Sequence, residues 1–113
     1  MVEGVQSVFF YVEDMDRAVS FYSGLLGLPV LEEGDTWSAF DCGGVRLGLH
    51  LSDVVPKGAS TAIVSFRVAD AQAAAKQLRE AGARVGEVHE EPFGLLVQLE
   101  DPDGHGLRLV QPV

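Results

Sequence analysis

The sequence predicts an α+β fold built from two tandem βαβββ modules, and three observations carry that prediction. Val97–Val110, VQLEDPDGHGLRLV, reads as strand, tight turn, strand, and a diverged copy stands at Phe40–Leu49, with Gly44, Leu47 and Leu49 where Gly104, Leu107 and Leu109 fall. Asp14 and Asp70 each stand as an N-cap before a helical segment, and Gly27 and Gly82 stop those segments. A short run rich in β-branched or aromatic residues precedes each cap, Gln6–Val12 and Thr61–Val68. Neither half buries its sheet face alone, so the repetition itself argues that the two belong together.

In chain order, Gln6–Val12 is the first strand. The first helix spans Met15–Leu26, because Ala18, Phe21, Tyr22 and Leu25 recur at three- and four-residue steps. Pro29 prevents its continuation past Gly27. Pro29–Glu33, Thr36–Asp41 and Val45–Leu51 follow as strands, separated by Gly34-Asp35 and Gly43-Gly44. Residues 54–60 connect module one, 1–53, to module two, 61–113. In the second module the helix is Ala71–Ala81 and the later strands are Arg84–His89, Phe93–Leu99 and Gly106–Gln111. Asp101-Pro102-Asp103-Gly104 suits a type I turn, with Gly104 free to take positive φ just after it.

Composition narrows the function classes. A chain of 113 residues is sized for one domain. Eight Lys and Arg against 17 Asp and Glu give a net charge of −9, which repels a phosphate backbone and argues against nucleic acid as a partner. Cys42 is the sole cysteine, so no intramolecular disulfide forms and a reducing compartment is expected. Met1–Gly4 lacks the basic-then-apolar pattern of a signal peptide, and no apolar run nears the ~20 residues of a membrane span. The expectation is a cytoplasmic protein with no membrane partner.

Val12-Glu13-Asp14, the FYSGLLGL run at Phe21–Leu28 and the closing DPDGHGLRLVQP at Asp101–Pro112 resemble the vicinal oxygen chelate superfamily, which includes glyoxalase I, bleomycin resistance proteins, fosfomycin-modifying transferases and extradiol dioxygenases. The resemblance covers essentially the whole chain. It implies paired modules whose sheets curl around a shared cavity with the helices outside, in a homodimer. One scaffold hosts many chemistries, so the resemblance identifies the fold far more specifically than the activity.

In metal-dependent members, the resemblance implies one His or Gln in the first strand of each module and one Glu in the last. This chain has Ser7, Gly48, Ile63 and Arg108 at those positions. Gly48 and Ile63 carry no donor, Ser7 is a poor ligand and Arg108 is a fixed cation. No metal and no other cofactor is therefore expected. Of the three histidines, His50 shares its strand face with Gly48, whereas His89 and His105 read as surface residues.

Strand alternation, phased on the ligand-equivalent positions, gives the expected ligand-binding residues: Ser7, Phe9, Tyr11, Trp37, His50, Ser65, Arg67 and Arg108. Gln98 and Arg46 are further wall positions, and Glu100 is a candidate counter-ion for Arg108. The opposite face, Val8, Phe10, Val12, Val64, Phe66, Val68, Leu107 and Leu109, is wholly apolar, as a face under helices should be. Ser7 and Ser65 lack the base and orienting acid of a nucleophilic triad. Cys42 has no basic neighbour to lower its pKa, and Gly43-Gly44 lacks the Lys and following helix of a phosphate loop. Catalytic residues are not fixed by sequence alone.

Two functions fit. The main expectation is a metal-free protein of the bleomycin-resistance type that sequesters a small, partly aromatic ligand, with antibiotic resistance as its setting. The alternative is a vicinal-oxygen-chelate enzyme, a lyase, isomerase or dioxygenase-like protein, that uses Tyr11 and His50 or a relocated metal site.

Overall fold

The computed structural model describes residues 6–53 and 64–113. The chain divides into two compact units, Met1–Val55 and Pro56–Val113, each built around one four-stranded mixed sheet. The expected connector and Ile63 lie outside the described residues.

In the first unit, β1 (Val8–Val12) leads through helical turns to β2 (Val30–Glu32), β3 (Trp37–Asp41) and β4 (Arg46–Leu51). The spatial order is β1-β4-β3-β2, with β1 parallel to β4 and the other pairs antiparallel. The second unit repeats this plan with β5 (Val64–Arg67), α2 (Ala71–Glu80), β6 (Arg84–Glu91), β7 (Gly94–Glu100) and β8 (Gly106–Pro112), in the order β5-β8-β7-β6. The registers match as well: Val8 opposes Leu47 as Val64 opposes Leu107.

Both capping aspartates act as the sequence predicts. Asp14 accepts a hydrogen bond from the Arg17 N–H and Asp70 from the Ala73 N–H, each at 3.0 Å. Gln111 supplies a second, non-local cap, its side-chain oxygen accepting from the Ala71 N–H at 2.8 Å. That contact ties the start of α2 to β8.

The first helix departs from expectation. Only α1 (Met15–Val19) is α-helical, and Ser20–Leu25 forms π-helical turns. The physical reason is the adjacent pair Phe21 and Tyr22, both buried. An α-helix turns consecutive side chains ~100° apart, whereas a widened turn lets neighbouring rings share one face. Tyr22 stacks on Phe10 and leans on Phe40, with ring centroids 6.3 and 6.0 Å away. Gly27, at φ 76°, then reverses the chain while the Leu28 N–H bonds the Tyr22 carbonyl at 3.0 Å.

Each helix covers the apolar face of its own sheet. Phe10, Val12, Phe40, Leu47 and Leu49 are buried in the first unit, and Val97, Leu99, Leu107 and Leu109 in the second. The expected phase of β1, β4 and β8 is therefore the observed one.

Gly94, at φ 140°, shows how closely β7 and β8 approach at their far end: a Cβ there meets the Gln111 carbonyl oxygen at 2.0 Å. Backbone cannot yield as a flexible side chain does. Gly94→Ala is expected to cost about 2 kcal/mol or more, combining the φ strain with the displaced ladder. Chemical denaturation measures it; a loss below roughly 0.5 kcal/mol, the size of an ordinary surface change, contradicts the geometry.

Candidate functional site

The helix-free face of the first sheet carries an aromatic cluster. Trp37 on β3 and Tyr11 on β1 both oppose His50 on β4, and Phe9 opposes Gly48. Phe9 lies edge-on to Tyr11 and Trp37 at centroid distances of 5.5 and 5.8 Å. Tyr11 and Trp37 lie edge-on to His50 at 5.6 and 6.2 Å. Such edge contacts are the favoured aromatic geometry. Phe9 and Tyr11 are nonetheless 45% and 39% exposed, and His50 is exposed too.

His50 Nδ1 sits 2.8 Å from the Leu51 carbonyl oxygen. A carbonyl only accepts, so Nδ1 donates, and in the neutral ring Nε2 holds the lone pair. Sequence placed His50 on this face; the bond that sets its tautomer depends on the fold.

Gly48 stands where the resemblance implies an acidic ligand. A Cβ there meets three atoms of the Trp37 indole, the nearest at 2.2 Å, so the ring lies directly on the glycine. The space a carboxylate side chain needs is filled by carbon.

In the second unit, Ser65 on β5 and Gln98 on β7 both oppose Arg108 on the central strand β8, so the three form a row on the helix-free face. Arg67 stands one pleat further along β5, opposite Val110. Ser65 and Arg67 are exposed, and Arg108 is part-buried, with a buried Nε that has no hydrogen-bond partner among the described residues. The expected counter-ion is engaged elsewhere: Glu100 pairs with Arg84 at 3.2 Å. A cleft of about 580 Å³ opens beside Arg108, with Gly86, Gln98, Glu100 and Gly106 among its lining. In the first unit, Arg46 is paired with Glu32 at 2.5 Å. Ser7 precedes β1, part-exposed and outside the ladder.

His105 corrects a second expectation. It is buried, not solvent-facing, and its Nδ1 lies 2.7 Å from Asp101 Oδ2. Asp101 Oδ1 accepts from the N–H groups of Asp103 and His105 at 2.9 and 2.8 Å. One carboxylate thus closes the turn and holds the imidazole.

For Cys42, burial and then the nearby Asp41 carboxylate push the thiol pKa up, which disfavours the nucleophilic thiolate. Among the described residues, no three His, Cys, Asp or Glu side chains come together as a metal-binding group. The family's metal does not fit its usual positions here: Gly48 is capped by indole and Arg108 brings positive charge.

Residues 4–109 match the Glyoxalase/Bleomycin resistance protein/Dioxygenase superfamily model. A metallothiol transferase FosB from Shouchella clausii is 32% identical over 96% of this chain and 80% of its own. A FosB from Staphylococcus epidermidis is 27% identical over 62% of this chain, and the match spans about half, 52%, of that relative. The fosfomycin resistance protein FosX from Listeria monocytogenes shares the fold, with a TM-score of 0.85 at 13% identity over 100% of this chain and 96% of that one. These relatives overturn the expectation of a metal-free sequestering protein, because FosB is named a metallothiol transferase, an enzyme. The enzyme alternative accords with them better.

Proposed function

Because the chain belongs to the Glyoxalase/Bleomycin resistance protein/Dioxygenase superfamily, we propose that it is an enzyme acting on a small molecule, with His50 as general base. The observation that carries this reading is the Nδ1–Leu51 hydrogen bond, which leaves Nε2 as the acceptor on an exposed aromatic face. Phe9, Tyr11 and Trp37 would hold an apolar portion of the substrate, and the Tyr11 hydroxyl would return a proton. Thiol transfer is the reaction class suggested by the FosB name. With a small epoxide, Nε2 takes the thiol proton as sulfur bonds to carbon, the ring C–O bond breaks, and its oxygen takes the Tyr11 proton, which the His50 imidazolium then restores. No step is assigned to a metal. The reading extends to antibiotic resistance as its setting, supported by the name of the fosfomycin resistance protein that shares the fold, and to a homodimer in the cytoplasm.

The test is product formation from fosfomycin with a panel of low-molecular-weight thiols, followed by mass spectrometry. A thiol adduct formed by wild type and suppressed in His50→Gln supports the proposal. Adduct formation at wild-type rate in that variant ends His50's role, and tight fosfomycin binding without any adduct ends the enzyme reading.

A further inference from the structure

We propose that Gly48 is a size-determining residue of the His50 face: lacking a side chain, it lets the Trp37 indole sink onto the backbone, and the depth of that ring sets how large an apolar group fits beside Nε2. Trp37 on β3 opposes His50 on β4, and Gly48 is the next β4 residue on the same face. The indole therefore crosses β4 diagonally. A Cβ at Gly48 meets three atoms of its six-membered ring at 2.2, 2.7 and 2.9 Å. Carbon atoms settle about 3.5–4.0 Å apart, so one added methyl group drives the ring more than about 1 Å from its seat.

The neighbours decide where a displaced ring goes. Phe9, opposite Gly48 on β1, stands ahead of the indole, inclined 67° to it with centroids 5.8 Å apart. His50 bounds one flank at 6.2 Å. Arg46, held by Glu32, occupies the same face of β4 on the other flank. Ala39, across from Gly48 on β3, is fully buried. The open direction is outward, into the space above Phe9 and Tyr11, which are exposed. A ring pushed that way takes the volume a ligand would fill. Glycine inside a strand weakens it, and here the seated ring gives that residue a use no larger side chain can serve. The expected substrate, which rests on the reading of this face as active, is a small electrophile whose apolar group is larger than methyl. Phe9 and Tyr11 leave more apolar surface open than a methyl covers.

The test reads binding without turnover, using 1-butanol and cyclohexylmethanol as inert compact and bulky probes, followed by the His50 ring-proton resonance. Wild type is expected to bind cyclohexylmethanol saturably and more tightly than butanol. Gly48→Ala should weaken cyclohexylmethanol at least about tenfold, the scale on which a pocket discriminates a methylene, and change butanol far less. Emission from Trp37, the sole tryptophan, should shift to the red in that variant as the ring moves toward solvent. Adding Trp37→Phe to Gly48→Ala should restore most of the lost affinity, because a smaller ring clears the new Cβ. Unchanged Trp37 emission, equal weakening of both probes, no restoration by the smaller ring, or no saturable binding by wild type each overturns the proposal. Should Gly48→Ala not fold, Trp37→Phe alone reads the same floor: deeper space should raise the preference for cyclohexylmethanol over butanol, and an unchanged or lowered preference overturns it. The expected probe pattern without any thiol adduct ends the enzyme reading and leaves the size selection standing. Adduct formation with no size selection ends this proposal alone.

Discussion

Asp101→Ala is expected to remove about 3–5 kcal/mol of stability, as breaking a buried charge-assisted network does. Its melting temperature should fall by roughly 12–20 °C for a chain of this size. The carboxylate serves three donors, the N–H groups of Asp103 and His105 and the His105 ring, at 2.7–2.9 Å. Its side chain is wholly enclosed, with His105 only 2% exposed. Water cannot replace it without opening the turn. The turn also fixes register, since the Gly104 N–H bonds the Asp101 carbonyl at 3.0 Å and the Asp101 N–H bonds the His105 carbonyl at 3.1 Å. Asp101→Asn provides the contrast. Its amide oxygen still accepts from both backbone donors, so about 1–2 kcal/mol should be lost, chiefly at the imidazole. Urea unfolding of the two variants distinguishes them; equal losses would mean that charge, not acceptor geometry, sets the cost.

The same turn marks where sequence reasoning stops. Its chain reversal is legible, because Pro102 and Gly104 have intrinsic backbone preferences. The burial of His105 is not, because a polar residue after a turn ordinarily meets water. The missed signal was Asp101 four residues before His105, a pair able to satisfy each other. Strand phase was readable at β1, β4 and β8 because their helix-facing positions are uniformly apolar, and a one-residue slip would bury Arg108 or Tyr11 under a helix. The Arg84–Glu100 pair was harder. It depends on β6–β7 register, which shifts between Val85 and Val88. The π-helical turns required weighing two consecutive aromatics against ideal α-geometry, and the three- and four-residue spacing alone gives no hint of that competition. The Trp37–Gly48 contact was half visible: a glycine inside a strand signals close approach, but not by which ring.

At the first sheet, His50→Gln is expected to lower kcat by about 10²–10⁴-fold, the usual contribution of a positioned general base. Glutamine approximates the reach of imidazole and can still bond a backbone carbonyl, yet its amide takes no proton. His50 is exposed and bonds the carbonyl of the adjacent Leu51, so the variant should unfold within about 0.5 kcal/mol of wild type. Tyr11→Phe keeps the ring that packs edge-on to Phe9 and His50 and removes only the hydroxyl. It should reduce kcat with little change in KM if that hydroxyl returns the proton. Trp37→Ala removes apolar contact area and uncovers Gly48, and should act mainly on KM. Steady-state kinetics on the thiol-adduct reaction resolve these patterns. A His50→Gln enzyme that keeps wild-type kcat while KM rises would make His50 a binding residue and remove general-base catalysis from this face.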